Sequence, residues 1–110
     1  MGLLNRIAGI PDSPEQDPAD VKRIPVDFFW AYLYEIAQGQ RTQAQLIARF
    51  ELDAGEQAEL SWLVGKYNAQ PNANAKAKFV ELMRVIFMLC EAGEPGYTTS
   101  ADIAARINAI

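Results

Sequence analysis

Apolar residues recur along this chain with a helical period, and almost nowhere with the alternation of a half-buried strand. Leu3, Leu4, Ile7 and Ile10 fall at i, i+1, i+4 and i+7 and line one face of a short N-terminal helix. Val26, Phe29, Leu33 and Ile36 form the stripe of a first long helix, predicted from Pro25 to Gly39. Proline is tolerated at a helix start, where its missing N–H has no intrahelical partner to lose, and glycine suits the turn past the end. Leu46, Ile47 and Phe50 give the apolar side of a second helix, about Thr42 to Glu51. Leu60, Leu63, Val64 and Tyr67, with Trp62 alongside, mark a third, about Ala54 to Ala69. Both of these open on a capping box, Thr42 with Gln45 and Asp53 with Glu56, in which two side chains reciprocally satisfy two orphan amides.

A turn by composition, Gln70-Pro71-Asn72-Ala73-Asn74, leads to the fourth helix, about Ala75 to Ala92. Its middle, Val85-Ile86-Phe87-Met88-Leu89-Cys90, is apolar on every side, which predicts full burial. Gly93 and Glu94-Pro95-Gly96 stop it. Thr99 with Asp102 caps a last helix carrying Ile103, Ile107 and Ile110. The fold class is therefore all-α: a compact array of about five helices, preceded by an N-terminal arm and a linker.

The predicted organisation is an apolar arm over residues 1–10, an extended linker over 11–23 and a helical domain over 24–110. The linker holds Pro11, Pro14 and Pro18 with four acids, Asp12, Glu15, Asp17 and Asp20, and no large apolar side chain between Pro11 and Asp20. Such composition favours a solvated, extended chain. A ten-residue arm is too short to hold a helix alone in water, so it must dock. It docks either on a neighbouring subunit or back on its own domain.

Five of the eleven aromatic residues lie between Phe28 and Tyr34, on more than one face of the first long helix. One stripe suffices for a core, so this helix is either central or partly in an interface. The predicted protein-interface residues are accordingly Leu3, Leu4, Ile7 and Ile10 of the arm, with Phe28, Trp30 and Tyr34 of the helix.

Charge and chemistry narrow the function. The chain has 10 basic and 14 acidic residues and a net charge of −4. Without the four linker acids the rest of the chain is neutral, ten against ten, and with no excess of positive charge it is a poor match for nucleic acid. There is no histidine and one cysteine, Cys90. That removes the commonest general base and metal ligand, and leaves Cys90 as a small buried hydrophobe. No phosphate-binding glycine loop occurs. Asp27 and Glu35, eight apart on one helix, are the one carboxylate pair to consider for acid–base work, against the plainer reading of a solvated face. Lys76 and Lys78, near the start of the fourth helix, read as surface lysines or as a small electropositive spot for an acidic partner. The second and third helices have nearly helix-turn-helix lengths, but Asp53, Glu56 and Glu59 would meet the duplex and repel it. No signal peptide, myristoylation motif or membrane span is read in the sequence. No enzyme activity, metal or cofactor is expected.

From Leu60 to Tyr67, then Phe79 to Gly93, then Tyr97 to Ala101, the order of features resembles small helical proteins encoded among the structural genes of tailed bacteriophages. The resemblance covers about the last half of the chain and defines no site residue. It implies a non-enzymatic virion structural or assembly protein, docked on other subunits, in the virion or the host cytoplasm. The alternative is a small regulatory protein, either a helix-turn-helix DNA binder or an inhibitor of a host enzyme.

Overall fold

The computed structural model describes residues 2–11 and 15–110; Asp12, Ser13 and Pro14 of the predicted linker lie outside them, as does Met1. Six α-helices follow one another: α1 (Leu3–Ala8), α2 (Val26–Ala37), α3 (Gln43–Phe50), α4 (Ala54–Asn68), α5 (Ala73–Glu91) and α6 (Ser100–Asn108). The all-α expectation holds, and no strand occurs among the described residues. The radius of gyration, 13.5 Å, matches the value of about 13 Å for a well-packed chain of this length.

The caps read in the sequence set the helix starts. Thr42, Asp53 and Thr99 each accept from the backbone N–H three residues on, and each capping box is closed by its Gln or acidic partner. Asn72 caps α5 from its side chain, so that helix begins at Ala73, two residues before its apolar pattern suggests. Pro25 sits at the cap of α2 instead of inside its first turn. Gly93, at φ 73°, ends the α5 segment in the left-handed conformation that glycine adopts most readily.

The core is one cluster contributed by every helix. Phe29 and Leu33 of α2, Leu46 of α3, Leu60 and Leu63 of α4, Phe79 and Met83 of α5, and Ile103 and Ile107 of α6 are all essentially inaccessible. Phe87, 4 % exposed, lies in the same cluster. Phe87→Ala should therefore cost about 3–5 kcal/mol, as large-to-small changes in packed cores do. Urea unfolding of the variant checks this, and a loss below about 1 kcal/mol would mean the site collapses without leaving a cavity.

At the middle of this cluster lies α1. The six-residue helix packs against α2, α4, α5 and α6. Leu3, Leu4, Ile7 and Ala8 are buried within it. Of the two docking modes open to the arm, the chain adopts the one in which it folds back on its own domain. Within the predicted linker a 3-10 turn spans Pro18–Asp20, closed by the Asp20 N–H donating to the Asp17 carbonyl at 2.8 Å and capped by the Asp17 carboxylate, which accepts from the Ala19 N–H at 2.9 Å.

Candidate functional site

The polar side of α1 shows why this segment belongs to the domain. Its N-terminal amides, at Leu3 and Leu4, donate to the two carboxylate oxygens of Glu59 on α4 at 3.2 and 3.3 Å. A carboxylate at a helix N-terminus satisfies orphan amides and complements the dipole. The C-terminal end turns at Gly9, φ 73°, and the Ile10 N–H returns to the Asn5 carbonyl at 3.0 Å. Arg6, only 5 % exposed, joins four separate stretches of chain. Its guanidinium donates to Glu56 on α4 at 3.1 Å, to the Phe50 carbonyl at 2.7 Å and to the Lys22 carbonyl at 2.7 Å. Its own carbonyl accepts from the Ile24 N–H at 3.0 Å. Glu56 is 2 % exposed, and its other oxygen accepts from the Asp53 N–H, closing the α4 capping box. Two buried charges are thus paired and hydrogen-bonded on both sides, the condition under which burial is tolerated.

These contacts correct the interface expectation for the arm. Leu3, Leu4 and Ile7 are 0, 4 and 1 % exposed in the chain's own core, and Ile10 is half-buried against it. Leu3, Leu4 and Ile7 have no apolar face left for a partner. The same contacts change the meaning of the acids at the start of α4. Glu56 and Glu59 are spent on α1, while Asp53, Ala54 and Gly55 at the start of α4 stay exposed. The Asp53 carboxyl is held below its ordinary range, chiefly by the hydrogen bond from the Glu56 amide.

The three aromatic residues of α2 expected at an interface separate. Phe28 and Tyr34 are each 57 % exposed, whereas Trp30 is buried. Trp30 meets Phe29 edge-on, with ring centroids 5.5 Å apart. Its indole nitrogen is buried without a hydrogen-bond acceptor among the described residues. Trp30 and Tyr34 line a groove of about 640 Å³ between α2 and α5, together with Ala31, Tyr67, Ala77 and Val80. Lys76 borders it, donating to the Gln70 carbonyl at 2.9 Å and lying 5.9 Å from the Tyr67 ring. Burial raises the Tyr67 phenol above its ordinary pKa.

The largest departure from the sequence reading is on α5. Ile86, Phe87 and Cys90 are buried as expected, but Leu82, Val85 and Met88 are 39, 47 and 65 % exposed. The apolar middle of this helix has neighbours on one side only. Its outer flank, with half-buried Leu89, continues toward Tyr97 and Ile110 around a hollow of about 290 Å³. Lys78 and Glu81 on the same helix were the available signal that its outer side is not enclosed. The run of six apolar residues masked it.

The carboxylates weighed for acid–base work are not brought together. Asp27 is engaged by Arg84 of α5, and Glu35 by Arg41 at the end of its own helix. Burial raises the Cys90 thiol above its ordinary pKa, as expected for a packed side chain. No cluster of three metal-ligating side chains occurs among the described residues, and no helix is long and apolar enough to cross a membrane. No family model, curated protein or solved structure matches the chain.

Proposed function

We propose that this chain is a non-enzymatic protein–protein interaction module that works through the outer flank of α5. The observation that carries this reading is the exposure of Leu82, Val85 and Met88 on one helix, where the other large aliphatic side chains among the described residues are buried or half-buried. Isolated apolar residues on a surface are ordinary, but a contiguous row of them marks a contact site. Exposed Phe28 and Tyr34 extend the supply of anchor side chains to α2. Aromatic residues and methionine are enriched in interfaces because they bury a large area from few rotatable bonds. Within this reading, the resemblance to proteins of tailed bacteriophages supports a virion structural or assembly role, with other virion subunits as partners.

A photo-crosslinking amino acid at position 88 tests the proposal in the cells or particles that contain the protein. The expected result is a discrete adduct with a protein, lost when Val85→Glu is added. A chain that yields no protein adduct from position 88, while the same probe reports an accessible side chain, would contradict it.

A further inference from the structure

The outer flank of α5 is complementary to itself. Lys78, Glu81, Val85, Met88 and Ala92 follow one another at alternating spacings of three and four, the seam of a helix that pairs along its length. Leu82 and Leu89 flank the seam. In an antiparallel pair with a two-fold axis at Val85, register places Met88 of one copy over Leu82 of the other. Leu82 forms the wall of the hollow beside Val85, Leu89, Tyr97 and Ile110. Met88, the most exposed large apolar side chain at 65 %, is a flexible unbranched residue suited to filling such a recess. Each copy thus carries both the knob and the recess, as a two-fold interface requires.

Charge fixes the direction. Lys78, the cation of the seam itself, lies toward the helix start and has no ion pair among the described residues; Arg106, at the far wall of the hollow, stacks on the Tyr97 ring. The far end carries Glu91, held by Arg23, and Glu94, which has no ion pair among the described residues. The last turn of α5 contains no basic residue, although the helix dipole favours a cation there. The antiparallel register sets Lys78 opposite Ala92, between Glu91 and Glu94 of the second copy. A parallel pair would instead set like charges side by side.

From these observations we infer that the occupant of the α5 flank is a second copy of this chain, paired antiparallel about Val85. This rests on the reading of α5 as an interaction surface and names its partner. Sedimentation equilibrium of the full chain across a concentration series tests it. The expected result is a reversible species of twice the 12.2 kDa chain mass. Val85→Glu, which puts two carboxylates on the axis, should raise the dissociation constant at least tenfold. Lys78→Glu, fully on the surface, should raise it about two- to twenty-fold through its two symmetric contacts. Adding Glu94→Lys to Lys78→Glu should restore it, which a general loss of folding would not. A chain that is monomeric at every concentration overturns the inference, as does a dimer indifferent to Val85→Glu and to Lys78→Glu. A monomer that still gives an adduct with a different protein from position 88 overturns the self-pairing alone. A monomer with no adduct removes the interaction reading as well.

Discussion

Deleting residues 1–10 is expected to abolish the cooperative thermal melt. The sequence allows this segment to be an arm that could be removed at little cost to the domain. The structure makes it part of the core. Leu3, Leu4 and Ile7 are nearly inaccessible, and burying three such side chains contributes about 5–9 kcal/mol before ordering entropy is subtracted. Their loss would open the centre of the cluster to water, since α1 packs against α2, α4, α5 and α6. It would also strand Glu56, whose charge partner sits on α1. Domains of this size hold only about 5–15 kcal/mol in total, so these losses together match the whole. Far-ultraviolet circular dichroism with temperature is the measurement. A truncated chain that melts cooperatively within a few degrees of the full one would contradict the placement of α1.

Arg6→Ala alone should cost about 3–5 kcal/mol, as breaking one side of a buried ion pair does. The cost comes less from the attraction lost than from the groups left behind. The Glu56 carboxyl would be left at 2 % exposure with no cation, and the carbonyls of Phe50 and Lys22 would lose their donor. Arg6→Met with Glu56→Leu should recover part of that loss, because no buried charge then remains to be desolvated. Recovery would be incomplete, since Glu56 also closes the α4 capping box, worth about 1 kcal/mol in similar caps. Chemical denaturation of the wild type, the single variant and the double variant gives the three stabilities. A double variant as unstable as Arg6→Ala would show that the guanidinium's carbonyl contacts, and not the stranded carboxylate, carry the penalty.

Much of this was legible in the chain, and the parts that were not have physical causes. Helix starts were readable because capping is local: Thr42, Asp53 and Thr99 act within three residues of themselves. The stop at Gly93 is local in the same way. The destination of α1 is not local. Its amphipathic pattern demands a partner surface, and the same pattern serves a neighbour or the chain's own core equally well. Arg6 was the one hint, since a cation amid apolar residues needs an anion, yet the anion lies fifty positions away at Glu56. The acids at the start of α4 were read for their repulsion of a duplex, and their attraction to α1 could not be seen. On α5, periodicity reported an apolar helix, but not how many sides of it find neighbours. On α2, the crowding of aromatics pointed to a helix that is either central or partly in an interface. It could not say that Trp30 is buried while Phe28 and Tyr34 stay exposed, Tyr34 at the edge of the groove that Trp30 lines.

The account rests on one division of the apolar residues, with those of α1 inside and those on the outer flank of α5 outside. Hydroxyl-radical footprinting at low protein concentration reads both in a single measurement. Leu3, Leu4 and Ile7 should be protected as strongly as Leu60 and Phe79, while Phe28, Tyr34 and Met88 are modified readily. Modification of Leu3, Leu4 and Ile7 at the rate of Phe28, with Met88 protected, would contradict it.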